Sequence, residues 1–254
     1  MIIAVDIGNT NTKIGIFDGN KIVTSLRLSN SSARTSDEYG FYISNILEDA
    51  GVDISKIDGA IISSVNPNYN YTFEHMLTSQ FKVKPLIVGS GIKTGIKIRY
   101  DNPKEVGSDR IMGCVAAWNY YGGDCIVVDC GTATTFNVLS SEGEFLGGLI
   151  SFGLKSGSDA LSASAAKLPK VELVRPSVVI GKNTISNMQS GIILGYTGMI
   201  EYIISKIKEE TGKNYKVIAT GGLSEVVAQC SKVFDVVDRL LTLKGLCLTY
   251  NLNN

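Results

Sequence analysis

One acidic turn occurs twice in this chain, about half the chain length apart. In the first copy an apolar run ends at Asp6, and Gly8 follows two positions later. In the second copy the run that begins at Ile126 ends at Asp129, and Gly131 follows at the same spacing. Each copy predicts a strand, a tight turn and a second strand. The repeat therefore predicts two related lobes that face a shared cleft.

The first turn has the composition of a phosphate-binding loop. Gly8 leaves room for a ligand to approach the main chain, and the N–H groups and hydroxyls that follow suit phosphate oxygens. Asp6 suits Mg²⁺, which prefers one or two carboxylates together with phosphate oxygens, and Lys13 adds positive charge. The alternative is an ordinary hairpin whose Asp and Asn residues serve only the turn. The candidate nucleotide loop consists of Asp6, Ile7, Gly8, Asn9, Thr10, Asn11, Thr12 and Lys13.

A third segment, Lys216 to Gly222, predicts a buried strand that ends in a Thr-Gly-Gly turn before a helix, which suits the adenosine end of a nucleotide. Together the three turns resemble the phosphate and adenosine motifs of the actin, sugar kinase and Hsp70 ATPase superfamily. The resemblance implies an α/β fold with two actin-like (ribonuclease H-like) lobes, each a mixed sheet flanked by helices, with a cleft between them. We expect an N-terminal lobe at residues 1–120 and a C-terminal lobe at 121–254. A fold-level resemblance does not identify the substrate.

Charge and composition exclude several classes of protein. Lys plus Arg and Asp plus Glu number 24 each, so no basic excess favours nucleic acid. The apolar runs are too short or too often interrupted to span a bilayer, and the N-terminal residues lack a secretion signal, so we expect a cytoplasmic protein without membrane partners. The cysteines show no CxxC spacing, which favours buried, reduced thiols over a metal site.

A helix start near residue 108 combines a carboxylate with a guanidinium. Ser108 or Asp109 suits a helix cap. Asp109 also suits accepting a proton from a hydroxyl, and Arg110 suits a two-pronged grip on a carboxylate. Both roles are compatible, because a cap can leave one carboxylate oxygen available. The segment therefore favours a small substrate that carries both a hydroxyl and a carboxylate.

Seven short motifs occur in one order over nearly the whole chain: VDIGNTNTK, RYDNPKEVGSDR, VDCGTATT, GGLISFG, IGKNT, ATGG and LTLKGL. In this order and spacing the chain resembles the type III pantothenate kinases. The resemblance implies a homodimer that phosphorylates pantothenate with ATP, the first step towards coenzyme A. It implies nucleotide binding by the loop from Asp6 to Lys13 and by Thr132, and a K⁺ or NH₄⁺ ligand at Asp129. It implies pantothenate binding by Tyr100, Gly107, Ser108, Asp109, Arg110 and Thr184, with Asp109 as the catalytic proton acceptor.

One motif departs from the family pattern. Where the family commonly has Gly-Gly-x-Ile-x-Pro-Gly, this chain has Phe152 in place of the proline. A proline fixes φ, so its loss is expected to loosen or reshape that turn. The charged residues assigned to chemistry are unaffected.

The remaining segments predict helices. From Thr184 to Glu210 a long helical pattern directs Met188, Ile192, Met199, Ile203 and Ile207 to one side. Gly191 and Gly195 lie one turn apart, which predicts either a tight contact within the chain or a subunit interface. The tail from Val233 to Leu252 is expected to end in a helix that packs on the second lobe.

Three other functions are compatible with parts of the pattern. A different small-molecule kinase or phosphatase of the superfamily would keep Asp6 and Asp129 but has no evident need for the group at 107–110. A non-catalytic regulatory relative, similar to the Bvg accessory factor, is disfavoured by the intact acidic residues. A nucleotide-binding scaffold would bind ATP without consuming it when pantothenate is added.

Overall fold

Two sheets with the same strand arrangement organise the chain. The computed structural model describes residues 1–32 and 34–254 and contains two compact units, one formed by residues 1–119 and 241–254 and the other by residues 120–240. Both units are α/β, with a mixed sheet flanked by helices, so this part of the predicted fold class is confirmed. None of the helices in the described part of the chain combines the length and apolar character that a membrane crossing requires.

The first unit carries a five-stranded sheet. Its strands are β1 (Ile2–Ile7), β2 (Asn11–Asp18), β3 (Lys21–Ser29), β4 (Gly59–Ser64) and β5 (Pro85–Ile87). The two-residue strand β6 (Lys97–Ile98) follows in the chain and is not part of this sheet. The sheet order is β3-β2-β1-β4-β5, in which β1 and β2 and then β2 and β3 are antiparallel, whereas β1 and β4 and then β4 and β5 are parallel. The helices are α1 (Ser36–Asp49), α2 (Asn70–Ser79), α3 (Ser108–Tyr121) and α7 (Leu241–Asn253).

The second unit repeats this arrangement. Its strands are β7 (Cys125–Cys130), β8 (Ala133–Leu139), β9 (Glu144–Phe152), β10 (Lys216–Thr220) and β11 (Val236–Val237), and its helices are α4 (Leu154–Ser164), α5 (Thr184–Thr211) and α6 (Ser224–Ala228). These strands lie in the order β9-β8-β7-β10-β11. β7 pairs antiparallel with β8, and β8 with β9, whereas β10 pairs parallel with both β7 and β11. The sequence repeat therefore corresponds to a repeat of topology.

Each sheet is covered by helices that bury apolar side chains. In the first unit, Tyr39 and Ile43 of α1 and Phe73 of α2 pack with the fully buried β1. A strand buried on both faces explains the continuous apolar run of β1, because it leaves no solvent-facing positions. In the second unit, Ile193 and Ile200 of α5 join the core with β7 and β8 side chains.

The buried face of α5 differs from the predicted one by about one residue. Met188 and Ile207 are buried as expected, whereas Ile192, Met199 and Ile203 are only partly buried. The residues fully turned into the core are their neighbours Ile193, Tyr196, Ile200 and Ile204. Both sets repeat with the helical period, so the pattern predicted the helix better than its rotation.

The tail helix does not pack on the second lobe, and this prediction was wrong. α7 belongs to the first unit, where it packs on β1, β2 and β4. Gly245 lies against the main chain of Met112 in α3, with no room for a Cβ atom, and the Thr249 hydroxyl contacts the Met112 sulfur at 3.3 Å. Backbone contact of this kind fixes α7 on the first unit, so residues 241–254 are not part of the predicted C-terminal lobe.

Candidate functional site

The turn between β1 and β2 is narrow and exposes its main chain. The Gly8 N–H donates to the Asn11 carbonyl at 3.0 Å, and a Cβ atom on Gly8 would lie only 2.9 Å from that oxygen. Asn9 and Thr10 at the tip are exposed, whereas Thr12 is fully buried. Gly8 is therefore required for the close turn, whose tip residues Asn9 and Thr10 are exposed to solvent.

Asn30, which the sequence analysis did not select, holds this turn. Its side-chain nitrogen donates to the Gly8 carbonyl at 2.8 Å, and its side-chain oxygen accepts from the Thr12 hydroxyl at 3.0 Å. Its backbone N–H donates to the Thr10 carbonyl at 2.9 Å, and its own carbonyl accepts from the Tyr69 hydroxyl at 2.8 Å. One side chain thus satisfies both arms of the turn. Its position directly after β3, beside the predicted loop, is the signal that identifies it.

Asp6 is buried beside a cation of its own chain. The residue is 5% exposed, and β1 and β2 place it opposite Lys13, whose Nζ lies 3.6 Å from Asp6 Oδ2. The sequence alone suggested that the charge of Lys13 serves a phosphate. In the structure that charge is shared with Asp6. A partly buried pair of this kind holds the carboxylate in one orientation.

Two serines join β4 to the start of α3. Ser63 is the parallel register partner of Asp6, so their side chains lie on the same face of the sheet. The Ser63 hydroxyl donates to the Ser108 hydroxyl at 2.8 Å, and Ser108 donates to the Ser64 carbonyl at 3.2 Å. These contacts bring the segment at 107–110 to the same edge of the first sheet as Asp6. Ser63 was another residue that the sequence analysis missed, because it lies within an apolar run.

Asp109 adopts a defined orientation at this helix start. Its Oδ1 accepts the Arg110 N–H at 2.8 Å, and a Cβ atom on Gly107 would lie 2.6 Å from the same oxygen. Gly107 therefore provides the space in which the carboxylate lies, and its carbonyl accepts the Ile111 N–H at 3.2 Å. Asp109, Arg110 and Tyr100 are all half-buried. Asp109 lies in the first turn of α3 and accepts the N–H of the next residue, so it is not the N-cap of this helix, which begins at Ser108.

The turn between β7 and β8 has the same outline with different support. The Gly131 N–H donates to the Ala133 carbonyl at 3.2 Å, and Thr132 at the tip is exposed. The Thr132 carbonyl accepts the Ser156 hydroxyl at 2.9 Å. Gly153 packs so closely on the carbonyls of this turn that a Cβ atom would overlap them. The start of α4 thus supports the second acidic turn, as Asn30 supports the first.

Phe152, which replaces the family's usual proline, is part of this support. Its carbonyl accepts the Thr134 hydroxyl at 2.7 Å, and Thr134 also hydrogen-bonds the Tyr196 hydroxyl at 2.6 Å. The Phe152 ring packs on Gly157, where a Cβ atom would lie 2.9 Å from the ring. The centroids of the Phe152 and Tyr196 rings are 6.3 Å apart. The packing of the Phe152 ring on Gly157 and the hydrogen bonds of Thr134 therefore hold the turn that a proline would have stiffened.

Burial keeps the residue beside Asp129 uncharged. Cys130 is 1% exposed, and burial raises its pKa to about 12 despite a hydrogen bond with Tyr196. Burial also raises the pKa of Tyr196. Both groups stay protonated at neutral pH, so they position the turn as neutral partners and do not supply a nucleophile.

The Thr-Gly-Gly turn lies against Asp129. Thr220 at the end of β10 is the parallel register partner of Asp129. Gly221 has φ +94, and a Cβ atom there would overlap Asp129 Oδ1 and approach Cys130 backbone atoms within 2.7 Å. The adenosine motif predicted from the sequence therefore forms one wall of the second acidic turn.

Thr184 occupies a more exposed place. It is the first residue of α5, which is capped by Asn183 through a hydrogen bond from the Ser186 N–H at 2.9 Å. Its predicted contact with substrate stays a prediction.

The fold is that of the actin-like kinases and ATPases. A Baf family transcriptional activator from Campylobacter jejuni superposes with a TM-score of 0.61 at 20% identity, covering 99% of this chain and 98% of that one. A 2-dehydro-3-deoxygalactonokinase from Sinorhizobium meliloti gives 0.57 at 13% identity, covering 99% and 96%. The activator of the 2-hydroxyisocaproyl-CoA dehydratase from Clostridium difficile, with bound ADPNP, gives 0.54 at 13% identity, covering 99% and 94%. At these identities the likeness establishes the fold alone.

The family follows from the sequence model that matches most of the chain. Residues 2–206 match the model of the type III pantothenate kinases, and the chain belongs to this family. The resemblance inferred from seven short motifs is therefore confirmed.

Proposed function

We propose that this protein phosphorylates pantothenate with ATP to give 4'-phosphopantothenate, the first step of coenzyme A biosynthesis. Membership of the family supports the reaction. The observation that carries the residue assignment is the Ser63–Ser108 hydrogen bond, which holds Asp109 and Arg110 at the same sheet edge as Asp6. A phosphate-binding turn and a group suited to a hydroxy acid thus belong to one site in the first unit.

The substrate end of the site uses the residues at the start of α3. Arg110 binds the carboxylate of pantothenate through two parallel hydrogen bonds. Asp109 accepts the proton of the primary hydroxyl as that oxygen attacks the γ-phosphorus of ATP. Tyr100, Gly107, Ser108 and Thr184 complete the substrate contacts that the family resemblance implies. Gly107 also holds the Asp109 carboxylate in place, because a side chain there would displace it.

The nucleotide end uses the first acidic turn. The loop from Asp6 to Lys13 binds the phosphates through N–H groups and hydroxyls. Thr132 of the second turn is the further nucleotide contact that the family resemblance implies. The buried carboxylate of Asp6 fits Mg²⁺, which needs only one or two carboxylates when phosphates supply the other oxygens. In the described residues, His, Cys, Asp and Glu side chains form no group of three or more that would hold a metal without phosphate. When bound, Mg²⁺ offsets the negative charge of the phosphates.

Catalysis rests mainly on positioning. Phosphoryl transfer requires little covalent work from the protein, so the rate depends on aligning the hydroxyl with the phosphorus and on neutralising charge. Asp129 of the second turn is assigned to K⁺ or NH₄⁺, as the family resemblance implies. The carboxylate oxygens of Asp129 suit a hard cation. Thr220, which carries a hydroxyl, is the register partner of Asp129.

A second copy of the chain completes the assembly in this proposal. Gly191, Gly195 and Gly198 of α5 face open space, because a Cβ atom on each would meet nothing within 4 Å. The alternative of a tight contact within the chain therefore has no support at these positions. Nearby lies an apolar cavity of about 510 Å³ between α4 and α5, and Phe152 and Ile180 are 58% and 84% exposed. Apolar side chains exposed in this way favour contact with an identical partner.

The homodimer is tested by solution mass. Light scattering after size exclusion is expected to give twice the chain mass for the wild type and a monomer for Gly195→Arg. Glu210→Arg, on an exposed position near the other end of α5, is the matched control and should remain a dimer. A monomeric wild type would contradict the proposal.

The activity is tested by measuring ADP release. We expect release from wild-type protein with Mg·ATP only when pantothenate is present, and faster release in KCl or NH₄Cl than in NaCl. Asp109→Asn should lower turnover by about a hundredfold or more, the usual size of a general-base contribution, and leave ATP affinity near normal. Unchanged turnover in Asp109→Asn removes this residue from the role of base. Release with another hydroxy acid in place of pantothenate would assign a different kinase substrate.

A regulatory role without catalysis is the main alternative. The structural likeness to a Baf family transcriptional activator is the observation that favours it. The balanced charge of 24 basic and 24 acidic residues gives no electrostatic support for direct DNA contact. ATP binding without ADP release in the presence of pantothenate would favour this alternative or a nucleotide-binding scaffold. Cytoplasmic localisation likewise stays a prediction.

A further inference from the structure

The hydroxyl of Thr220 is buried without a hydrogen-bond partner. The residue is 1% exposed, and its Oγ1 forms no hydrogen bond with any group in residues 1–32 and 34–254. Other buried threonines, such as Thr134 and Thr197, donate to backbone carbonyls. Leaving a buried hydroxyl unsatisfied costs stability, whereas valine would fill the same space without that cost. The position therefore indicates a ligand that uses the hydroxyl oxygen.

The sheet aims this hydroxyl at the second acidic turn. Thr220 and Asp129 are register partners on parallel strands, so their side chains lie side by side on one face. Gly221 brings the following backbone onto the Asp129 carboxylate. An anion is disfavoured at a hydroxyl held next to a carboxylate, and a cation is favoured.

The first unit has a different arrangement at the equivalent places. There, Ser63 is the parallel register partner of Asp6, and its hydroxyl donates to Ser108. The repeated topology makes Ser63 and Thr220 equivalent. Only the hydroxyl of the first unit is satisfied by a neighbouring side chain.

The antiparallel neighbours differ as well. Asp6 faces Lys13 across β1 and β2, and the lysine ammonium lies 3.6 Å from its carboxylate. Asp129 faces Thr135 across β7 and β8. The second turn thus presents hydroxyl oxygens where the first presents an ammonium group. Oxygen ligands of this kind bind K⁺ or NH₄⁺, and NH₄⁺ carries the charge and hydrogen-bond donors of a lysine head group.

We propose that Thr220 is a further ligand of the monovalent cation at Asp129, and that this cation takes the place that the Lys13 ammonium occupies in the first unit. The inference rests on the proposed function for the presence of a monovalent cation. Thr220 supplies one neutral oxygen to the ion and Asp129 supplies the charge. Thr135 leaves the space that a lysine side chain would otherwise take.

Thermal unfolding without nucleotide or pantothenate tests this assignment directly. A ligand that binds only the folded protein raises the unfolding midpoint, because it adds RT ln(1 + [L]/Kd) to the free energy of unfolding. We expect KCl and NH₄Cl to raise the wild-type midpoint above that in LiCl at equal ionic strength. In LiCl the midpoint of Thr220→Val should equal or exceed that of the wild type. Its dissociation constant for K⁺ should be larger than that of the wild type by about tenfold or more.

Two matched variants separate the ligand role from packing. Thr220→Ser keeps the hydroxyl and should retain the rise in KCl. Thr197→Val removes another buried hydroxyl, one that donates to the Ile193 carbonyl at 2.8 Å, and should lower the midpoint in every salt while retaining the rise. The proposal is overturned if KCl raises the unfolding midpoint of Thr220→Val as much as that of the wild type. It is also overturned if the wild-type midpoint is the same in KCl and LiCl.

Thr135→Lys tests the same assignment without altering Thr220. It places an ammonium group opposite Asp129, as in the first unit, and should make the midpoint independent of the choice between KCl and LiCl. A rise equal to that of the wild type would contradict the proposal, even if Thr220→Val does not fold. Because these measurements use no substrate, failure of pantothenate phosphorylation would leave their outcome intact, and the two failures are distinguishable.

Discussion

The two acidic turns share a backbone design but satisfy it with different side chains. In the first, Asp6 faces Lys13 and neighbours Ser63, which is hydrogen-bonded to Ser108. In the second, Asp129 faces Thr135 and neighbours Thr220. The comparison shows that repeated topology fixes where a carboxylate is placed, whereas the residues on adjacent strands decide what it binds. The first turn includes a cation of its own chain, and in our proposal the second takes one from solution.

The largest expected difference between the turns is in catalysis. Asp6→Asn should lower kcat/KM by about a hundredfold or more in every salt, because Mg²⁺ stabilisation of transferred charge is worth several kcal/mol. Asp129→Asn should instead raise the K⁺ concentration for half-maximal rate by about tenfold or more. Steady-state ADP release over a KCl titration measures both. Equal salt dependence of the two variants would end the distinction between the turns.

Alanine at the turn glycines is expected to affect the first turn more. In Gly8→Ala the new Cβ lies 2.9 Å from a backbone oxygen, so the free energy of unfolding should fall by about 1–3 kcal/mol. Gly131→Ala meets its nearest atoms at 3.4 Å and should change that free energy by less than about 1 kcal/mol. Urea unfolding of both variants provides the check. The idea of a tighter first turn fails if Gly131→Ala is the more destabilised.

The side chains that hold the turns are expected to differ in a similar way. Asn30→Ala leaves the buried Thr12 hydroxyl without its acceptor and should cost about 1–3 kcal/mol of unfolding free energy. Tyr196→Phe leaves Thr134 its second partner, the Phe152 carbonyl, and should cost about 0.5–1.5 kcal/mol. Chemical denaturation measures both losses. A larger loss of unfolding free energy in Tyr196→Phe than in Asn30→Ala would show that the second turn depends more on the Tyr196 hydrogen bond than the first does on Asn30.

The smallest expected effect concerns pH. Burial raises the pKa of Cys130 from 9.0 to about 12, whereas the equivalent residue of the first turn, Ile7, does not titrate. The unfolded chain loses the proton first, so the thiol's contribution is complete below pH 9 and is lost as pH rises towards 12.

Between pH 9 and 10 the unfolding free energy of the wild type should fall by up to about 1.4 kcal/mol more than that of Cys130→Ala. Denaturant unfolding at pH 8, 9 and 10 measures the two slopes. Identical slopes would show that the thiol titrates normally in the folded protein.

The sequence predicted those features that depend on local pattern. The strand-turn-strand repeats, the long α5 and the helix start at Ser108 are all present, because apolar period and turn residues act over a few positions. The nearly all-apolar run from Ile57 to Val65 likewise predicts a buried strand, which is β4. The segment from Phe81 to Val88 predicts a strand, but the strand is only Pro85–Ile87, because Lys82 has φ 59, which a strand does not accommodate. Ser36, with Asp37 and Glu38 after it, predicts the cap of the first helix, but the cap is Thr35, one residue earlier.

The missed features all depend on contacts between distant segments. Asn30 and Ser63 acquire their roles only when β3 and β4 lie beside β1 and β2. α7 is apolar around much of its surface, so its pattern fits either sheet, and the close approach of Gly245 to α3 decides between them. Thr220 has no distinguishing sequence context beyond its glycine neighbours. In each case the decisive partner lies many residues away.

The placement of α7 has a consequence for synthesis. The first unit, which carries the proposed proton acceptor, combines residues 1–119 with residues 241–254. Domains generally fold in the order in which the ribosome releases them. Here β1 and β4 emerge early but are covered only after residues 241–254 have been synthesised. The second unit, residues 120–240, is synthesised completely before that. A nascent chain stalled before residue 241 is therefore expected to expose an incomplete first unit to proteases and chaperones.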